Sequence, residues 1–207
     1  MTLDQFNQAF KATTDPAPNN PPCSEAVGED IRELVSQHGG KTFNHGLYRV
    51  LRSEQLGDAK AAMERVFPEF RGRIEPFAVD WLGRHFALDN GRILNGSPQV
   101  LMLEVGAGEA MQIPASVADF HNVELVEYGD DALSVPFWNR WHERNPANLE
   151  HAQCVGYKVP LFLGGADDIQ NLEVIDLSVY VEICGQLRNR TRSLTPGQTI
   201  GRISISA

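Results

Sequence analysis

Leu3, Phe6 and Phe10 fall on one stripe of the opening segment and predict a short amphipathic helix. The following DPAPNNPPCS cannot continue it, because each proline removes an amide donor and clashes with the preceding turn. EDIRELVSQHG is the clearest part of a second helix, with Ser24 placed to cap it and Gly39-Gly40 to stop it. GLYRVL reads as a short strand. In SEQLGDAKAAMERVF the apolar positions Leu56, Ala59, Met63, Val66 and Phe67 keep helical spacing, so a helix is expected there, capped by Ser53 and ended by Pro68.

Beyond this point the period shortens. IEPFAVDWLG, RHFALD and RILNG are brief runs broken by Gly, Asn and Asp, the pattern of antiparallel strands and tight turns, and VLMLEV and EAMQIP continue the series. From Ala115 helical spacing returns through ASVADFHNVELVEYGDDALSVPFWNRWHERN, with Pro136 as an interruption. CVGYKVPLFLGG has strand character, NLEVIDLSVYVEICGQLRNRTR closes as a strand and then a helix, and TIGRISIS is a last strand or a tail. Strands clustered in the middle with helices at both sides predict an α+β fold: a curved, mainly antiparallel sheet with helices packed against it, preceded by a small helical segment. Residues 1–45 make that segment with its proline-rich connector, and residues 46–207 the α+β domain.

Charge sharpens the picture. The chain carries a formal net charge of −9, but 101–187 holds fourteen acids against three bases (Arg140, Arg144 and Lys158), so the acid is concentrated in the second half. Such a face repels phosphates and attracts basic surfaces, which argues against nucleic acid as a direct ligand and for a cationic partner. No stretch reaches the roughly 18 apolar residues of a membrane helix and the first residues form no apolar signal core, so a cytoplasmic location is expected. Cys23, Cys154 and Cys184 lie far apart with no C-x-x-C pair, which predicts small thiols and not a disulfide framework or zinc ribbon.

Catalytic patterns fare poorly. LMLEVGAGEA has the strand, acid and Gly-x-Gly of an adenosyl-binding loop, but that loop needs an uninterrupted helix after the glycines. Pro114 and the strand character of MQIP deny it one, so a hairpin turn at Gly106 to Gly108 is expected. His121-Asn122 followed by His142 suggests metal-dependent DNA cleavage, yet Glu124, Glu127, Asp130 and Asp131 surround them without a Lys or Arg to hold DNA. His121 and His142 are therefore expected on a helix surface or interface. No H-E-x-x-H, calcium loop, G-x-S-x-G or P-loop lysine is present, and Asp167-Asp168 after Gly164-Gly165 reads first as a helix cap. The expectation is a non-catalytic protein with no cofactor and no metal.

FPEFRGRIEPFAVDWLGRHFALD, ADFHNVELVEYGDDAL and CVGYKVPLFLGGADDIQNLEVIDLSVYVEICGQL together resemble a domain of bacterial immunity proteins that protect cells from type VI-secreted DNase effectors. The likeness runs over 46–187, and GYKVPLFLGG at 156–165 is its most specific part. Phe6, Phe10 and the segment 29–48 resemble the GAD-like module that often precedes that domain. The resemblance implies an immunity protein that binds its cognate DNase toxin and covers or distorts the active site. It also implies kinship with the SMI1/KNR4-like fold, so an adaptor for some other cellular protein is the alternative, ahead of a small methyltransferase or nuclease. Partner contact is expected at Glu127, Asp130, Asp131, Asp167 and Asp168, whose carboxylates would meet Lys and Arg on the toxin. Trp81, Phe86, Tyr157 and Phe162 are expected to build the core, Gly164 and Gly165 to allow a sharp turn, and Arg188, Arg190, Arg192 and Arg202 to form a separate basic element.

Overall fold

The computed structural model describes residues 2–13 and 21–192; TIGRISIS and Arg202 lie outside them. In chain order the elements are α1 (Asp4–Ala9), α2 (Glu29–His38), β1 (Thr42–Phe43), β2 (Tyr48–Val50), α3 (Leu56–Val66), β3 (Ile74–Asp80), β4 (His85–Leu94), β5 (Ser97–Glu104) and β6 (Glu109–Ile113). There follow α4 (Val117–Asp119), a π-helical turn over Phe120–Glu124, α5 (Leu125–Glu127), α6 (Gly129–Ala132), α7 (Val135–His142), β7 (Gln153–Tyr157), β8 (Leu172–Asp176) and α8 (Leu177–Thr191).

β1 to β6 form an open six-stranded sheet in sequence order, each pair antiparallel, and β7 and β8 pair separately. The expected α+β fold stands. Alternation along the central strands shows why their sequences read as unbroken apolar runs. Phe86, Leu88, Val100 and Met102 face a core built with α1, α2 and the helices after β6, while Ala87, Leu101 and Leu103 face Met63, Val66, Tyr180, Val181 and Cys184 of α3 and α8. Both sides of the sheet are covered, so neither side needs polar residues. β1 precedes the boundary expected at residue 45 and β2 follows it, and both join the same sheet.

Trp81, Phe86 and Tyr157 are buried as expected, and Phe162 is half-buried at the edge of the second core. The hairpin turn between β5 and β6 also stands, closed by the Gly108 amide donating to the Glu104 carbonyl at 2.9 Å. Gly164 takes a φ of +87° after the 3-10 turn Leu161–Leu163, and a side chain on Gly165 would collide with the Val159 carbonyl. That turn replaces the second half of the strand expected over CVGYKVPLFLGG, which ends at Tyr157.

Three helix starts differ from expectation. Ser24 stabilises a turn before α2 by accepting from the Ala26 amide, and the helix itself begins after Gly28. Ser53 opens a 3-10 turn in which Gln55 Oε1 accepts from the Arg52 amide, and its hydroxyl donates to Glu54 Oε2 at 3.3 Å. Pro136 sits in the first turn of α7, where its missing amide costs nothing, so it starts that helix instead of interrupting one. The strongest observed cap is Asp176, whose Oδ1 accepts from the amides of Ser178 and Val179 at 2.9 and 3.1 Å and so begins α8. Asp176→Ala should lower stability by about 1 kcal/mol, read as a shift in the urea unfolding midpoint with no change of slope.

Candidate partner-binding face

The sharp turn between β3 and β4 organises one end of the sheet. Asp80 is fully buried; its Oδ1 accepts from the amides of Leu82 and Arg84 at 3.0 Å, and its Oδ2 takes Arg84 Nε at 2.6 Å. Arg84 then donates to the Ala132 carbonyl at 3.2 Å and the Ser134 hydroxyl at 3.3 Å, while Trp81 Nε1 donates to the Leu133 carbonyl at 2.9 Å. Residues 132–134 are thus fastened to the turn by three donors from within the core. A second buried guanidinium works beside it: Arg49 donates to the carbonyls of Asp80 and Glu150 at 2.9 Å and to that of Gln153, tying β2 to the approach to β7. Desolvation lowers the pKa of Arg49, and the neighbouring Cys154 and Asp80 oppose that change. With Arg84 spent on Asp80, Ser134 and Ala132, and the terminal nitrogens of Arg49 spent on carbonyls, these cations hold loops in place and leave the acidic surface unneutralised.

Two exposed acidic segments flank this end. Asp130 and Asp131 lie in the first turn of α6, directly before the anchored Ala132, and Glu127 closes α5. No hydrogen bond or ion pair joins these three carboxylates to another described residue. On the other segment the Tyr157 hydroxyl donates to Asp167 at 2.7 Å, and burial followed by Asp167 raises the tyrosine's pKa. Asp168 accepts from the Gln170 amide at 2.8 Å and caps the turn Ile169–Asn171, the cap its sequence position suggested. Glu104, at the end of β5, has its pKa raised by burial, against the opposing pull of Arg84. Arg84 bonds the Ala132 carbonyl directly and acts electrostatically on Tyr157, which in turn holds Asp167. Among the described residues no group of three or more His, Cys, Asp or Glu could hold a metal ion.

Tyr128 was not singled out by sequence reasoning. It follows Leu125 at helical spacing and would be placed on the buried stripe, but its φ of −120° breaks the helix and leaves it 52% exposed between Glu127 and Asp130. Val126 is exposed beside it. The buried pair Asp80 and Arg84 does carry a signal, an acid and a base four apart inside the apolar run AVDWLGRHF, where unpaired charges would not be tolerated.

The histidines differ from expectation. His121 is fully buried, not on a helix surface: its Nδ1 meets the Val117 carbonyl at 2.7 Å and its Nε2 meets the Tyr48 hydroxyl at 2.9 Å. Both ring nitrogens are engaged in the core, which leaves none for a phosphate or a metal. Asn122 pins α1 instead, accepting from the Phe6 amide and donating to the Thr2 carbonyl. His142 is half-buried and stacks on Trp138, with ring centroids 4.7 Å apart. The basic residues after Leu187 fold back where they are described: Arg188 bonds the carbonyls of Gly108 and Val66, and Arg192 meets Glu69 at 3.0 Å.

Residues 118–188, about a third of the 207-residue chain, match the family described as "T6SS immunity protein Tdi1, C-terminal". All five carboxylates expected at the partner surface lie inside this segment, and the match supports a type VI secretion immunity protein. No curated protein matches the chain. Among solved structures, "Crystal structure of Atu4351 from Agrobacterium tumefaciens" is similar in fold, with a TM-score of 0.57 at 16% identity over 89% of each chain. No helix among the described residues is long and apolar enough to cross a membrane.

Proposed function

We propose that this chain is a cytoplasmic, non-catalytic immunity protein that binds a cognate type VI-secreted DNase toxin and neutralises it by covering or distorting its active site. The observation that carries this reading is the acidic face of the segment that matches the immunity family. Glu127, Asp130 and Asp131 stand exposed and without described partners around Tyr128, on a platform fastened by Arg84 and Trp81. A DNase must carry a basic surface for its own substrate, and an acidic surface opposite it speeds encounter and fixes register. Tyr128 supplies the half-apolar anchor that such interfaces favour at their centre. Asp167 and Asp168 border the same end of the sheet and extend the contact, although their bonds to Tyr157 and Gln170 give them structural work as well. The N-terminal segment is assigned to the GAD-like type and the domain to the SMI1/KNR4-like group on sequence resemblance.

Co-expression with the product of the adjacent toxin gene tests the reading: growth should be rescued and the two proteins should co-purify. A stable complex with some unrelated cellular protein, and no rescue, would establish the adaptor alternative instead. Within a toxin complex, the double substitution Asp130→Asn with Asp131→Asn should slow association by about tenfold at low salt and flatten its salt dependence, with the unfolding midpoint unchanged. Unaltered association kinetics would remove α6 from the interface.

A further inference from the structure

A groove of about 450 Å³ opens between α3 and the start of α8, on the opposite side of the sheet from the core that holds His121. Its walls are aliphatic, from Leu51, Ala59, Ala62, Leu177 and Val181, and the acids Asp58 and Glu182 line it as well. Arg65 is the cation among the lining residues, 3.7 Å from Glu182 and more than half exposed. The fourth feature is His85, only 3% exposed, which lines the groove. Its Nδ1 lies 3.0 Å from the Gly83 carbonyl, a group that can only accept, so Nδ1 carries the proton and Nε2 presents a lone pair. Nε2 has no partner among the described residues and is not sealed from solvent, so it opens into the groove. This acceptor has no donor among the described residues, so a bound donor can take it.

We infer that this groove receives a lysine side chain from a basic protein partner, its methylene stem along the aliphatic walls and its ammonium shared between His85 Nε2 and the carboxylates of Asp58 and Glu182. The chemistry selects this occupant. The acceptor disfavours carboxylate and phosphate heads, the two acids favour a cation, and the aliphatic walls suit the unbranched stem of a lysine better than a planar guanidinium. That the lysine belongs to the toxin rests on the function proposed above; the groove's preference for an alkylammonium group does not.

The two parts are separated by titrating the ¹⁵N-labelled chain near neutral pH with pentylammonium chloride, and in parallel with sodium pentanoate. The expected result is a saturable shift of the His85 Nε2 resonance with the amine alone, weakened by about fivefold or more in the Asp58→Asn, Glu182→Gln variant, whose substitutions are exposed and isosteric. No saturable shift, or an equal response to pentanoate, overturns the inference. A shift that depends on protein concentration without amine would assign the groove to a second copy and overturn it also. The same variant should lose about tenfold in toxin affinity; full toxin affinity together with amine binding would overturn the docking role. Absence of any toxin binding by the unaltered chain would defeat the functional reading, and the amine titration would still decide the groove.

Discussion

Trp81→Ala should lower the unfolding free energy by about 5 kcal/mol, measured by urea denaturation. The indole is fully buried against Phe137, Trp138 and Trp141, with ring centroids 5.5, 5.4 and 6.1 Å away, so truncation leaves a cavity that three large rings cannot close. It also removes the donor to the Leu133 carbonyl. A loss confined to about 1 kcal/mol would mean the aromatic cluster repacks, and the anchoring of residues 132–134 would then rest on Arg84 alone. Because those residues carry the acidic turn, binding to the toxin should fall in the same variant.

Acidification should destabilise the chain over a defined window. His85 and His121 are buried, and desolvation pushes each pKa down to about 4. In the unfolded chain they titrate near 6.5, so between about 6.5 and about 4 the unfolded state binds more protons and stability falls as pH falls. Each can contribute about 3 kcal/mol across that window, and above it both are neutral in either state and contribute no slope. His38 and His151, also pushed down to about 4 mainly by desolvation, act in the same direction. For His121 the geometry is explicit: Nδ1 faces a carbonyl and the ring is edged by Phe6, Phe120 and Tyr48, so a second proton would bring an uncompensated charge into an aromatic cage. Unfolding free energies at pH near 7, 5.5 and 4.5 should decline steadily, and His121→Gln should reduce the decline. A flat profile over that range would show that the cage accommodates the charge.

How much of this was legible beforehand follows from the range of each interaction. The hairpins were readable because their turns are written locally in Gly, Asn and Asp. The two- and three-residue strands β1 and β2 carry no period, so their place in the main sheet could not be read from 1–45. Cap residues misled where a nearby serine found a different partner, as at Ser24 and Ser53. The acidic charge of the candidate surface was visible in composition, whereas Tyr128 depended on one backbone angle that breaks a helix. The burial of His121 depended on Tyr48, 73 residues away, and nothing in ADFHNVEL announces that partner.

One further consequence lies in the docking of α1. Phe6 is fully buried among Phe10, Phe43, Tyr48 and His121, and Asn122 bonds the backbone at Thr2 and Phe6. α1 therefore has no finished place to go until residues 117–125 have been made. At ordinary elongation rates that is a delay on the order of ten seconds, during which two phenylalanines stay open to solvent and to chaperones. α1 thus settles late in synthesis, after the strands of the main sheet have already been made.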